Sequence, residues 1–328
     1  MKRRFPTRVG ILLVCCLLIF LLAGSSSRII TTPLGSVLSS TNQSTPTVVV
    51  RPTLPPTPTP VPTLAPVLTA VGTPPPMEVS TAYLVDEDSG HVLYDQNGEQ
   101  PYLMASTTKI MTALIAIQTG NLNQPVIVHQ DAVNHVIEDD GSNASLSVGD
   151  QMPLKDMLYG LLLPSGDDAA YAIADTLSGS QSAFVAHMNL FAQRLHLYQT
   201  HFNSSDGLTN DSLTHYSSAH DLATLAQVAM KEPLFAQIVQ TPSYTYQDTA
   251  KTYTWTNTNT LLGIYPGMTG IKTGHTNDSG YCLVFSATRA EHHLLGVVLG
   301  APNMQQRDQD VSNLLNWGFA LPMKTPDQ

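Results

Sequence analysis

Ser106 and Lys109 stand three residues apart in Met104-Ala105-Ser106-Thr107-Thr108-Lys109-Ile110-Met111, and a mainly apolar run free of Gly and Pro continues through Ile117. A Ser-Thr pair ahead of such a run reads as a helix start, and on a helix this spacing sets both side chains on one face. A serine hydroxyl becomes a nucleophile when a neighbouring base takes its proton. A lysine amine at a helix N-terminus, in a partly desolvated cleft, can be that base. The chemistry on offer is nucleophilic catalysis by serine. The same tetrapeptide also arises by chance, as an N-cap serine ahead of an exposed lysine, so other residues must decide between the two.

Two further stretches bear on the choice. Ser165-Gly166-Asp167 follows Leu161-Leu162-Leu163-Pro164 and precedes a helical run from Ala169 to Leu177. Lys272-Thr273-Gly274 lies within Gly270-Ile271-Lys272-Thr273-Gly274-His275-Thr276, ahead of the strand-like Tyr281-Cys282-Leu283-Val284-Phe285-Ser286. The order Ser-x-x-Lys, Ser-x-Asn, Lys-Thr-Gly is that of penicillin-binding proteins and serine β-lactamases, and the chain resembles them. More narrowly, Ala105 to Leu114, Leu163 to Ala170, Phe202 to Leu208, Ser217 to Ala223, Asn257 to Thr276 and Gly280 to Arg289 resemble serine D-Ala-D-Ala carboxypeptidases, the low-molecular-mass penicillin-binding proteins. Asn259-Thr260-Leu261-Leu262 with Pro266-Gly267-Met268-Thr269-Gly270 and the Lys-Thr-Gly triplet is the most specific part. The resemblance runs from about Val79 to Phe319 and leaves the first quarter of the chain unmatched.

The resemblance implies an α+β fold of the β-lactamase/transpeptidase type: a five-stranded antiparallel sheet flanked by helices, a mainly helical second lobe, and the active site between them. It implies that Ser106 attacks the penultimate D-Ala carbonyl of a peptidoglycan stem peptide ending in D-Ala-D-Ala, releasing D-Ala and leaving an acyl-enzyme for water to hydrolyse. Lys109 is then the general base and Ser165 relays a proton to the leaving amine. Lys272 anchors the substrate and holds Ser165, while Thr273 and Gly274 lie on an edge strand to which the substrate adds as a further strand. The backbone N–H groups of Ser106 and His275 form the oxyanion hole. Arg307, ten residues before Trp317, matches an arginine suited to a free carboxylate. β-Lactams are implied as covalent inhibitors, and neither a cofactor nor a metal is expected. One position departs from the pattern, with Asp167 where the family has Asn. An ionised Asp only accepts hydrogen bonds, and a carboxylate beside Lys109 favours the ammonium. Asp167 is then protonated, or Lys109 acts through Ser165, or activity is reduced.

The elements that must position these residues can be read from the same sequence. Ser80 to Asp86 and His91 to Asp95 flank Glu87-Asp88-Ser89-Gly90 as a β-hairpin. Helical patterns cover Leu154–Leu163, Asp168–Leu177, Gln181–Leu195 and Ala219–Lys231. Strand patterns return at Ser243–Tyr246, Thr252–Thr256, Gly280–Thr288 and His293–Leu299, and a final helix runs from about Arg307 to Phe319. Strands at both ends with helices between them predict an antiparallel sheet covered by helices, with a helical insertion.

Composition bounds the rest. The 328 residues carry a formal charge of −10, which argues against a nucleic-acid partner. Lys2, Arg3, Arg4 and Arg8 precede an apolar run from Val9 to Ala23, an export signal too short for a comfortable membrane span. Residues 25–76 are low in complexity and rich in Pro and Thr, a polyproline II spacer on the extracytoplasmic side. A spacer is useful only if its far end stays attached, which favours residues 1–24 as a retained membrane anchor over a cleaved signal peptide. Residues 77–323 then form the folded domain, in which Cys282 is the lone cysteine and reads as a small apolar strand residue. His129 with Asp131 and His135, or His215 with His220, could be imagined as metal pairs, but no His-Glu-x-x-His is present. Three other functions share parts of the pattern. A class A β-lactamase needs a deacylating glutamate, and the only one between Asp167 and Lys272, Glu232, lacks the expected surroundings. A D,D-endopeptidase shares the motifs, and a non-catalytic wall-binding module has Asp167 as its only support.

Overall fold

The structure is a computed structural model that describes residues 66–208, 214–290 and 292–324. The expected anchor and most of the expected spacer lie outside the described residues. The N-terminal half consists of β1 (Val67–Leu68), β2 (Thr81–Asp86), β3 (Val92–Gln96), a 3₁₀ turn (Ala105–Thr108), α1 (Lys109–Thr119), β4 (Pro125–Ile127), α2 (Gln130–Glu138), β5 (Gln151–Pro153), α3 (Leu154–Leu162) and α4 (Asp167–Ser178). There follow α5 (Gln181–Arg194), α6 (Ala219–Met230), α7 (Pro233–Val239), β6 (Ser243–Gln247), β7 (Thr252–Thr256), β8 (Met268–Thr276), β9 (Gly280–Arg289), β10 (His292–Ala301), α8 (Met304–Phe319) and β11 (Met323–Lys324). Among the described residues, no helix is long and apolar enough to cross a membrane.

Five strands make one antiparallel sheet in the order β3-β2-β10-β9-β8, the architecture expected from the sequence. Its two faces sort by the two-residue period of a strand. Tyr83 and Val85 of β2, Cys282 and Val284 of β9, and Leu295, Val297 and Leu299 of β10 join the core shared with α1 and α3 to α7. Their neighbours Ala82, Leu84, Leu283, Phe285, Leu294 and Val298 join the other core, against Val311, Leu314 and Leu315 of α8. The spacing of those three residues on α8 is that of one helix face.

α1 sits inside the larger core. From Lys109 to Ala116 every residue is buried, so the helix has no solvent face over that stretch. A helix apolar on all sides is a central one, and cutting Leu114 to Ala there costs about 2–5 kcal/mol. The rigidity of that packing is what fixes Ser106 and Lys109 at its N-terminus.

Two helices go beyond those expected from the sequence. α2 carries Ala132, Val133, Val136 and Ile137 at helical spacing, but the run is short and only Ala132 is fully buried. α7 is short, and its signal is Pro233 at the first helical position, where the missing N–H costs nothing. β1 falls within the stretch assigned by composition to the spacer. It pairs with β11, Val67 opposite Lys324 and Leu68 opposite Met323, and Leu68 is buried.

Candidate active site

The helix expected at Ser106 begins instead as a 3₁₀ turn, and α1 proper starts at Lys109. Ala105 adopts a left-handed backbone, φ 44°, which costs an L-residue about 1–2 kcal/mol. A chain of hydrogen bonds holds it there. The Asn203 N–H donates to His215 Nδ1 at 3.0 Å, so the ring proton is on Nε2 and is given to Thr108 Oγ1 at 2.8 Å; Thr108 in turn donates to the Ala105 carbonyl at 2.8 Å. Burial pushes the His215 imidazolium down to about 4, so the ring stays neutral at pH 7. Gly207, at φ +98°, closes against the same turn: a Cβ there would lie 2.1 Å from the Ala105 oxygen. His215 is thus a packing residue of the turn that carries Ser106 and is not paired with His220.

Lys109 is completely buried and reaches three partners. Its Nζ lies 2.9 Å from Ser106 Oγ and 2.8 Å from the Asp206 carbonyl oxygen, and it is ion-paired with Asp167 Oδ1. An ammonium fills all three contacts with its three protons. A neutral amine also suits them, with two N–H bonds to the oxygens of Asp167 and Asp206 and its lone pair turned to the Ser106 hydroxyl. Burial raises the Asp167 carboxyl to about 6, against the opposing pull of Lys109. It is therefore mainly ionised at pH 7. It opens α4, where the helix dipole favours a negative charge.

Ser165 precedes that helix in a left-handed conformation, φ 68°, and borders the same cleft as Ser106. β8 closes the other side as the edge strand of the sheet, the position expected for Thr273 and Gly274. Gly274 is required there: a Cβ would come within 2.9 Å of the Met104 oxygen and 3.2 Å of the Ser106 nitrogen. Thr273 Oγ1 bonds Thr258 Oγ1 at 2.6 Å. Lys272 is buried, and burial, followed by the charge of Lys109, pushes its ammonium well below the ordinary lysine range. Its hydrogen bond goes to the Thr273 carbonyl at 2.9 Å; among the described residues no bond joins it to Ser165.

His275 and Arg307 complete the cleft, an open space of about 220 Å³ that Ser142, Thr258 and Tyr281 also line. The final helix, expected from about Arg307, begins at Met304, so Arg307 lies one turn inside α8, and it is buried. Asp308 Oδ1 sits 2.8 Å from its Nε and 2.7 Å from its Nη2, and Thr260 Oγ1 lies 3.3 Å from Nη2. The structure thus brings Ser106, Ser165, Thr273, Gly274, His275 and Arg307 to one cleft, with Lys109 against Ser106 and Asp167 against Lys109. Sequence reasoning missed Thr258 and Asp206, and it weighed His135 only beside His129 and Asp131, whereas its ring lies against Asp139 and Asp206. Thr258 and Asp206 fall in stretches singled out for their resemblance, but their roles depend on contacts across the fold.

A model of the peptidase S11 family, D-alanyl-D-alanine carboxypeptidase, matches residues 69–303. The D-alanyl-D-alanine carboxypeptidase of Streptomyces sp. strain K15 is 40% identical over 267 residues, 77% of this chain and 91% of that protein. D-alanyl-D-alanine carboxypeptidase DacF of Bacillus subtilis is 36% identical over 74% of this chain and 62% of its own length. The crystal structure of the Streptomyces K15 DD-transpeptidase superposes with a TM-score of 0.72 at 37% identity, covering 76% of this chain and all of that one.

Proposed function

From the premise that this chain belongs to the D-alanyl-D-alanine carboxypeptidase family of serine peptidases, we propose that it trims the terminal D-Ala from peptidoglycan stem peptides through an acyl-enzyme on Ser106. The observation that carries this reading is the 2.9 Å contact between Lys109 Nζ and Ser106 Oγ, buried at the root of a cleft edged by β8. The substrate lies along β8 as an added strand, with its terminal carboxylate toward Lys272, Thr273 and Arg307. Lys109, as the free amine, takes the hydroxyl proton while Oγ bonds to the penultimate carbonyl carbon. The oxyanion is received by the N–H groups of Ser106 and His275. The leaving amine gains a proton through Ser165, D-Ala departs, and Lys109 then activates the water that cleaves the ester. β-Lactams acylate Ser106 by the same route. The N-terminal basic residues and apolar run support export, with residues 1–24 retained in the membrane and the Pro- and Thr-rich stretch as spacer to the wall.

Incubating the purified protein with a peptide ending in D-Ala-D-Ala tests the reading. Release of one D-Ala per peptide is expected, with crosslinked stem-peptide dimers left whole; cleavage of the crosslink would assign a D,D-endopeptidase instead. The likeness to a DD-transpeptidase favours one second reading, transfer of the acyl group to an amine, and an added D-amino acid captured in the product would show it. Membrane fractionation checks the anchor: the full chain is expected in the membrane pellet, and a soluble chain starting near Ser25 rules it out.

Lys272 yields a prediction on stability. Its pKa in the folded state lies below that in the unfolded chain, so between the two values the unfolded chain binds more protons and stability rises with pH. Lys272→Met removes the buried charge. Its Tm is expected to increase, at about 2–4 °C per kcal/mol gained for a domain of this size, and the rise in stability toward alkaline pH should flatten. Capture of D-Ala-D-Ala peptide falls in the same variant. A Tm below that of the wild type would show that Lys272 stabilises the fold.

A further inference from the structure

Behind Lys109 lies a cluster that the reaction as derived does not use. His135 of α2 sets one ring nitrogen against each of two carboxylates: Nε2 is 2.5 Å from Asp206 Oδ2, and Nδ1 is 2.9 Å from Asp139 Oδ2. A neutral imidazole has one N–H and one lone pair, so it would leave a lone pair facing a carboxylate oxygen on one side or the other. The imidazolium suits both. The ring is stacked on Tyr171 of α4, with centroids 4.0 Å apart. Asp206 connects this cation to the reacting groups. Its Oδ1 accepts from the Leu208 N–H at 3.0 Å, and its carbonyl accepts from Lys109 Nζ at 2.8 Å. One residue thus carries both the carbonyl that holds Lys109 and the carboxylate that holds His135. The His135 side chain is 10% exposed and that of Asp139 33%, so protons can reach the ring from its outer side.

The groups facing His135 are Asp139 at the C-terminal cap of its own helix, Asp206 from the segment before Leu208, and Asp167 and Tyr171 on α4, with Lys109 of α1 beyond Asp206. Burial lowers the His135 pKa, but the bond to Asp206 and the three carboxylate charges outweigh it and leave the value raised. For Asp206, burial raises the carboxyl, but the His135 bond and the Lys109 charge hold it below the usual range. Burial keeps the Tyr171 phenol neutral. As an imidazolium, His135 balances Asp206 while the Lys109 ammonium balances Asp167, two cations against two buried carboxylates. When Lys109 gives up its proton as a base, the imidazolium still offsets Asp206. Without that charge, both carboxylates would hold the lysine as an ammonium.

We propose that His135 is a protonation-sensitive positioning residue for Lys109: as an imidazolium it pins Asp206, whose carbonyl holds the amine beside Ser106, and it offsets the Asp206 charge so that Lys109 can release its proton. The proposal rests on Lys109 being the general base. It is tested by following acylation with a fluorescent penicillin, and D-Ala release, from pH 5 to 10 in wild type, His135→Gln, His135→Arg and Asp139→Asn. The wild-type acylation rate should bend downward on the alkaline side as His135 loses its proton. His135→Gln should acylate roughly tenfold more slowly at pH 7, the worth of one pK unit of interaction, with KM little changed and no bend. His135→Arg keeps the charge at every pH, and should stay near the wild-type rate at pH 7 while losing the bend. Asp139→Asn, having lost one carboxylate, should bend at lower pH. Nitrogen NMR of the wild-type imidazole should show both ring nitrogens protonated at pH 7, a readout that survives if His135→Gln does not fold. A neutral ring at pH 7, a wild-type profile for His135→Gln, or His135→Arg as slow as His135→Gln would each overturn the proposal. Absence of any penicillin adduct on the wild type would instead refute the peptidase reading beneath it.

Discussion

Ser106→Ala is expected to gain no penicilloyl mass at any pH, where the wild type gains one per chain. D-Ala release should fall by about four orders of magnitude or more, the scale seen when a covalent nucleophile is removed and only binding and oxyanion contacts remain. Lys109→Met should lose nearly as much, because Ser106 then has no base within reach: the 2.9 Å Nζ–Oγ contact is the one ionisable partner the hydroxyl has among the described residues. The double variant should be little worse than either single one, since nucleophile and base act as a unit. Intact-protein mass spectrometry after penicillin treatment reads all three. Labelling of Ser106→Ala equal to that of wild type would move the nucleophile elsewhere. Losses that multiply in the double variant would show that Lys109 does something other than activate Ser106.

The second large effect concerns Asp167. With its carboxyl at about 6, it is ionised at pH 7 and paired with Lys109. In the proposed mechanism, that attraction works against the deprotonation of Lys109. Asp167→Asn keeps the size, removes the charge and restores a hydrogen-bond donor. Acylation by a D-Ala-D-Ala peptide near pH 7 is expected to rise by about tenfold for each pK unit by which the amine is released. The sign of the pH dependence follows from the Asp167 carboxyl. Below about pH 6 the wild-type carboxyl is itself protonated, so the advantage shrinks. The ratio of the two rates should therefore grow as pH rises through about 6. The variant should also melt at lower temperature, because a buried ammonium has lost its counter-charge. A variant slower at every pH would show that the carboxyl group takes part in the reaction.

How much of this could be read from the chain depends on how local each interaction is. Ser106 and Lys109 are one helical turn apart, and their shared face follows from the pitch of a helix. β9 and β10 announce themselves as apolar runs buried on both faces, and β6 and β7 as alternating runs around a turn. The Lys-Thr-Gly triplet stood ahead of a strand, and its place on the sheet edge agrees with the architecture. The sequence by itself thus determined the fold class, the order of the motifs and the reaction type. Tertiary structure decided the electrical state of the site. Asp167 meets Lys109 from 58 residues away, His215 meets Thr108 from 107, and His135 meets Asp206 from 71. No periodicity records such pairings, because a polar partner's identity and burial depend on which loops the packed helices bring together. The missing bond between Lys272 and Ser165 belongs to the same class. Local pattern is set by backbone geometry repeating along a few residues. The protonation of a buried cluster is set by desolvation and by every charge within a few ångströms, which only the packed chain brings into range.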